Sequence, residues 1–384
     1  MKIVITVGGQ FHAFELARQL EKRGYLEQLI TGYPVRRPGR FDLPPGKVVS
    51  LPAGQLIYRG WQRLPPAIRG LGNPVFRVSE LFDRRASRRL AGGDLLIGWS
   101  SFSLHTLREA KRRGMKTVLE RGSSHILFQR EILEEEYELL GCSGELPHSA
   151  IVEKELREYA EADYIEVPSS FVRESFIRQG IPGEKIIRGF RGVDLDQFRQ
   201  IPGDDSIFRV IFAGKICLRK GIQYLLRAFS DLALPRSELL LIGAIADEAR
   251  PVLSRYRGTF RCLGSQPRSE LPRFFSRGSV FVMPSIEEGM AVVQLQAMAC
   301  GLPLICTTNT GGEDLIEDGV EGFIVSIRDV EAIKEKLLLL YREPERRKDM
   351  GEMAKSKVTR GFSWDDYGDR VTGEYRRIIG ESGR

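Results

Sequence analysis

Strand-length apolar runs, each closed by a turn and followed by a helical pattern, recur along nearly the whole chain, and this cycle constrains the fold more than any other feature. Residues 2–7 run into Gly8-Gly9, after which Phe14, Leu16, Ala17 and Leu20 recur at helical spacing until Gly24. Residues 95–97, 117–119 and 164–167 repeat the theme between helical patterns. Around residues 192–205 the pattern turns polar, with Pro202-Gly203 and Asp204-Asp205. The cycle then restarts at 209–213 and continues through 239–242, 260–263, 280–283, 304–305 and 323–325. Apolar runs without alternation are strands covered on both faces, hence parallel sheets with helices on each side. The expectation is an α/β fold of two doubly wound domains, 1–192 and 193–362, with a closing helical segment, 363–384, that packs back on the first. Ser363 followed by Asp366 resembles a capping box and opens that helix. A ligand is expected in the crevice at the carboxyl ends of the strands.

Composition supports this and removes other classes. With 384 residues, 42% hydrophobic and 28% charged, the chain can fill two or three cores, which excludes wholesale disorder and collagen. No window offers the roughly 20 apolar residues of a membrane span, and the 2–7 run is shorter than a signal-peptide core. A cytoplasmic location is expected, at or near the inner face of the membrane if the basic segment described next touches lipid. Five cysteines without a Cys-x-x-Cys pair and four scattered histidines give no disulfide framework and no metal motif. The formal charge of +7 is uneven: residues 31–90 carry twelve basic groups (among them Arg36, Arg37, Arg40 and Arg69) against three acidic, a net of +9. Residues 131–163 answer with eleven acidic groups against two basic, a net of −9. This does not call for nucleic acid. The basic block suits an anionic acceptor, an anionic membrane surface or a solvated face.

The most informative stretch is Pro284-Ser285-Ile286-Glu287-Glu288-Gly289-Met290-Ala291-Val292-Val293-Gln294-Leu295-Gln296-Ala297-Met298-Ala299-Cys300-Gly301. A buried strand ends at Met283, a loop holds two carboxylates, and 292–299 reads as a helix stopped by Gly301. Unpaired amides at a helix start attract anions, so those of Gly289, Met290, Ala291 and Val292 can receive a phosphate. Glu288 beside them would repel bare phosphate but accept hydrogen bonds from sugar hydroxyls. On periodicity alone, an ordinary strand-loop-helix connection with solvated glutamates is the simpler reading. Gly214-Lys215-Ile216-Cys217-Leu218-Arg219-Lys220-Gly221 likewise follows a strand, and its cations can neutralise a diphosphate or simply be solvated. His125 leaves a strand into a loop, where it can meet a ligand or stay structural. Gly8 and Gly9 permit close approach or form a plain tight turn. Asp194-Leu195-Asp196 lies in the linker and is read as structural, not as a metal site.

The 284–301 stretch resembles the nucleotide-sugar motif of family 4 glycosyltransferases, whose fold, called GT-B, pairs two Rossmann-like domains across a cleft. In that motif a glutamate, seven residues and a second glutamate precede the Ala-Met-Ala-Cys-Gly run. The resemblance places Glu288 on the first glutamate, which touches the donor sugar. Gln296 replaces the second, which grips the ribose, and its amide oxygen accepts hydrogen bonds more weakly. It implies that Lys215 and Lys220 hold the diphosphate, with lysine at 215 in place of the usual arginine fork. It puts His125 against the donor sugar and the Gly8-Gly9 turn at the cleft floor. Val167-Pro168-Ser169-Ser170 and Arg191-Gly192-Val193-Asp194 resemble the signatures flanking the interdomain linker, with Arg191 in place of asparagine.

The resemblance implies a retaining, hexosyltransferase-like enzyme. It moves a sugar from a nucleoside diphosphate donor to an acceptor hydroxyl without a cofactor or metal. Two alternatives stay open: a nucleotide-sugar epimerase or hydrolase of the same architecture, and a non-catalytic nucleotide-sugar binder. The acceptor is expected to be anionic or lipid-linked, with peripheral membrane contact through 31–90.

Overall fold

A computed structural model describes residues 1–35, 42–65, 72–203 and 206–380. Arg36, Arg37, Arg40 and Arg69 of the basic block and Asp204-Asp205 of the linker lie outside them. The first lobe is a seven-stranded sheet of Ile3–Val7 (β1), Leu26–Thr31 (β2), Val48–Ser50 (β3), Leu95–Trp99 (β4), Lys116–Glu120 (β5), Tyr164–Val167 (β6) and Ile186–Arg188 (β7), ordered β3-β2-β1-β4-β5-β6-β7. The second contains Phe208–Ala213 (β8), Ser237–Ile242 (β9), Arg261–Cys262 (β10), Val280–Met283 (β11), Leu304–Thr307 (β12) and Gly322–Val325 (β13), ordered β10-β9-β8-β11-β12-β13. Their pairings are parallel. In each sheet the order reverses beside the first strand, the point where such folds leave a crevice for ligands. The fold is thus two Rossmann-like domains of the GT-B kind. Three strands escape the sequence reading: β2, whose Glu27 and Gln28 break the apolar run, and β3 and β7, three residues each. The strand expected over 260–263 shrinks to the two residues of β10. Among the described residues no helix is long and apolar enough to cross a membrane.

The chain passes between the lobes twice at one place. Val193 in the linker donates its amide to the Phe362 carbonyl at 2.8 Å and bridges Ser363. There Ser363 and Asp366 cap each other's backbone amides in a full capping box. The helix Trp364–Ile378 then lies on Ala13–Lys22 of the first lobe, its Tyr367, Val371, Tyr375 and Ile378 sharing a core with Ile3, Ile5, Leu16 and Leu20. Under this crossing the buried Arg191 pairs with Glu120, and the Tyr375 hydroxyl donates to Glu166 at 2.5 Å. Burial, then the Glu120 charge, pushes Glu166 up to about 8.

The lobes are docked at a seam. The helix Ile126–Leu139 follows β5 of the first lobe yet packs Ile132, Leu133 and Tyr137 against Leu218 and Ile286 of the second. Glu136 accepts from Gln223 Nε2, Tyr224 Oη and Arg328 Nε, each at 2.7 Å, and Arg328 also forks onto Glu135. Part of the acidic 131–163 block is therefore spent across the seam. Ser169 Oγ donates to the Gly289 carbonyl at 2.6 Å, and Ser170 binds Asp314 through its amide and hydroxyl at 2.6 and 2.7 Å. Glu287 is fully buried. It accepts from the Ser124 amide (2.9 Å) and hydroxyl (2.8 Å), Gln129 Nε2 (2.9 Å) and Arg219 Nη1 (3.0 Å). Burial alone would raise its pKa, but Arg219 and the donors of the opposite lobe bring it down to about 2.

A folded-state pKa below the unfolded one means stability that is present above the ordinary carboxylate range and lost as pH falls toward 2. By linkage the stake is about 3 kcal/mol. We expect Glu287→Ala to lower stability by about that much and to enlarge the radius of gyration in solution scattering as the lobes part. Glu287→Gln should flatten the acid limb of a urea-stability profile. An unchanged radius together with an unchanged acid limb would refute the clamp.

Candidate functional site

The loops at the carboxyl ends of β8, β9, β11 and β12 form one surface because short side-chain and backbone bonds tie them together. Thr307 Oγ1 donates to the Ser285 carbonyl (2.6 Å), Asn309 Nδ2 to the Ile286 carbonyl (2.9 Å), and the Glu288 amide to the Asn309 carbonyl (2.9 Å). Gly221 adopts φ +67°, and a Cβ there would run into the Pro284 carbonyl oxygen, so the loops after β8 and β11 can stack only with glycine at this position. The helix Val292–Ala299 begins without a side-chain cap. Among the described residues the amides of Gly289, Met290, Ala291 and Val292 donate to no backbone carbonyl or side chain. Four orphan donors thus stand at the positive end of a helix. Gly289 is pinned from the other lobe: a Cβ there would meet the Gly122 carbonyl and, at 3.1 Å, the Pro168 ring.

Charges crowd next to these amides. Lys220 and Glu288 form a close ion pair, with Arg219 Nη2 3.7 Å from the same carboxylate. Burial, then the Arg219 charge, pushes Lys220 down to about 7. Lys215, half exposed, pairs with Glu145 of the first lobe at 2.8 Å. It lies on a cavity of about 400 Å³ between the lobes, lined by Ser101, Arg121, Gln129 and Tyr137 on one side and Lys215 and Arg219 on the other. Arg121 is held in place by the Ser124 carbonyl (3.1 Å), Gln129 Oε1 (2.9 Å) and Glu155 (3.2 Å).

The structure therefore gathers Lys215, Lys220, Glu288 and the 289–292 amides at one set of strand ends. Gln296, in the helix they open, is buried, and its side chain makes no hydrogen bond among the described residues. Gly8 and Gly9 belong to the first lobe's own packing: a Cβ on Gly8 would collide with the Phe102 ring, the Gly9 carbonyl accepts from Thr31 Oγ1 at 2.9 Å, and neither glycine lines the cavity. The structure places the His125 ring inside the first lobe, 2% exposed and off the lining of that cavity. It packs 4.9 Å from both the Tyr159 and Phe176 rings. Its Nδ1 accepts from the Leu127 amide at 3.3 Å, capping the seam helix. Burial and the neighbouring Arg121 push it down to about 4, so it is a neutral cap. Sequence reasoning missed Arg121, Arg219 and Glu287 as site residues, and Arg191 as the partner of Glu120. The signal for Glu287 and Arg219 was their adjacency to Glu288 and Lys220; nothing local marked Arg121 or Arg191.

Residues 195–357 match the family Glycosyl transferases group 1. The alpha-D-kanosaminyltransferase of Streptomyces kanamyceticus is 28% identical over 188 residues, 47% of this chain and 49% of that protein. The chain spans about half the length of the curated relatives it matches. In three dimensions it is similar to a sucrose-phosphate synthase from Thermosynechococcus elongatus, with a TM-score of 0.75, 18% identity and full coverage of both chains. It is also similar to Anabaena HepE in complex with UDP-glucose, with a TM-score of 0.69, 15% identity and coverage of 98% of this chain and 100% of the other. Residues 195–357 of the second lobe thus carry the sequence pattern of the group 1 glycosyl transferases, and the two lobes together share the fold of these solved structures.

Proposed function

We propose that the chain transfers a sugar from a nucleoside diphosphate donor to an acceptor hydroxyl with retention of anomeric configuration. The observation that carries this reading is the run of four orphan amides, Gly289 to Val292, beside a lysine–glutamate pair at a helix start. That set matches a diphosphate joined to a polyol better than either part alone. In this reading the diphosphate takes the Lys220 ammonium, and Glu288, released from it, turns to the sugar hydroxyls. Arg219 and Lys215 answer the charge that grows on the leaving diphosphate. The bond from the anomeric carbon to the phosphate oxygen breaks, the bond to the acceptor oxygen forms on the same face, and the acceptor proton passes to the leaving phosphate. Likeness to a UDP-glucose complex supports a nucleotide-sugar donor. In this reading, closing the lobes over the bound donor would exclude water that would divert the sugar to hydrolysis.

We also propose that the reaction needs no metal, the cations and amides meeting the diphosphate charge. Among the described residues, the carboxylates and imidazole close enough to share an ion are Glu80, Asp83 and His105. The Lys154 ammonium already binds those two carboxylates at 2.7 and 2.9 Å. Turnover that survives EDTA fits this, and turnover that EDTA abolishes and magnesium restores contradicts it.

Binding and turnover measurements test the proposal. In a thermal-shift panel of nucleoside diphosphates and their sugars, the true donor should raise the melting temperature by a few degrees at about 100 times its Kd, and a flat panel would contradict donor binding. Lys220→Ala should lower kcat/KM by about 100-fold. Turnover of the donor without any acceptor would instead favour the epimerase or hydrolase reading. Donor affinity should also depend on pH. Free Lys220 titrates near 7, and a bound diphosphate raises that value. Affinity is therefore full below pH 7 and falls above it by up to about tenfold per unit. Calorimetry at pH 8 in buffers of different ionisation enthalpy should show proton uptake on binding, and no uptake would show that Lys220 is already charged in the free chain through its pair with Glu288. Gln296→Glu should tighten the donor through the ribose, and no gain in binding or turnover would favour the binder reading.

A further inference from the structure

The helix Ala53–Gln62 departs from the rule that a helix buries its apolar stripe. Its one buried residue is Gly54, whose missing side chain leaves room for Val78. Leu56 is 56% and Ile57 52% exposed, and Leu64, just past the helix, is 39% exposed. With Gly60 and the half-buried Trp61 they recur at i, i+1, i+4, i+5 and i+8, one stripe along the helix that faces away from the lobe. Arg59 and Arg63 flank the stripe and are exposed. Between Asp42 and Glu80 the sequence contains no acidic residue. The helix is tied to the glycine turn, Gln55 Nε2 donating to the Gly8 carbonyl at 2.8 Å. From that turn Phe11, 63% exposed with φ +40°, lays its ring beside Gly9.

We propose that this face docks on an anionic lipid bilayer, with Leu56, Ile57, Leu64 and Phe11 entering the boundary between headgroups and acyl chains and Arg59 and Arg63 meeting lipid phosphates. An apolar stripe bordered by cations, on a segment free of acidic residues over 43–79, is the pattern that binds such surfaces. A second copy of the chain is a poorer occupant, since a two-fold contact through this stripe sets Arg59 and Arg63 against their own copies without an acidic partner. Aliphatic side chains likewise offer nothing to the phosphates of a nucleic acid. The surface stands independently of the sugar-transfer reading. On that reading, it brings a membrane-borne acceptor to the first lobe beside the Gly8-Gly9 turn.

The test is flotation of the full chain with phosphatidylcholine vesicles with and without phosphatidylglycerol, at low and high salt. Wild type should float with the anionic vesicles, less so as salt rises, and scarcely with phosphatidylcholine alone. Leu56→Asp with Ile57→Asp should lose at least about tenfold in partitioning at every salt concentration. Arg59→Gln with Arg63→Gln should lose mainly the low-salt binding. Because these side chains are exposed, circular dichroism and the thermal shift given by the donor should stay as in wild type, which separates failure here from failure of the donor site. Wild type that does not float with anionic vesicles at low salt overturns the proposal, as does an aspartate variant that floats equally well. A concentration-dependent dimer abolished by the aspartate pair would assign the face to a second copy instead.

Discussion

A carboxylate without access to water, Glu287, sits where the two lobes meet, and its four donors decide how the rest of the molecule is arranged. Three of them come from the first lobe, two from Ser124 and one from Gln129, and the fourth is Arg219 of the second. A buried charge is tolerated only when its hydrogen bonds are complete. Separating the lobes therefore exposes it or leaves it unpaired. Glu287 directly precedes Glu288, so the clamp fixes the height of the first lobe above the orphan amides. That places the Gly122 carbonyl against Gly289, where no side chain could fit. The seam helix contributes in the same sense, anchored at its start by the neutral His125 and along its length by Glu136 on Arg328, Gln223 and Tyr224.

Within the site the ligand-free charges neutralise one another. Lys220 holds Glu288, Lys215 holds Glu145 and Arg219 holds Glu287. An anionic ligand at the 289–292 amides would have to exchange partners with at least the first of these pairs. Such an exchange spares the cations the full cost of desolvation while empty, and it links phosphate capture to freeing the carboxylate that would read the sugar.

Where burial is uniform the chain was readable from its sequence. Strands β1 and β11 are wholly buried runs, and the helix over 292–299 has the predicted bounds because Gly289 and Gly301 punctuate it. The Ser363–Asp366 box was legible because both partners lie in one turn. Legibility failed where partners come from afar. β2 carries Glu27 and Gln28 on its partly exposed stretch, so its run does not look like a strand. His125 was expected at a ligand, but Tyr159 and Phe176, which enclose it, are 34 and 51 residues away in sequence. Arg191 was left without a role because Glu120 arrives from another strand. The exposed stripe of 53–64 was visible as charge and not as an apolar face, since periodicity does not say which side of a helix meets the core.

The central claim is that the helix start after Glu288 receives paired phosphates. The most direct measurement is a crystal structure of the chain soaked with a nucleoside diphosphate. The account predicts phosphate oxygens within hydrogen-bond distance of the Gly289–Val292 amides and of Lys220 Nζ, with Glu288 released from Lys220. Phosphates bound elsewhere on the chain, with the Lys220–Glu288 pair intact, would contradict it.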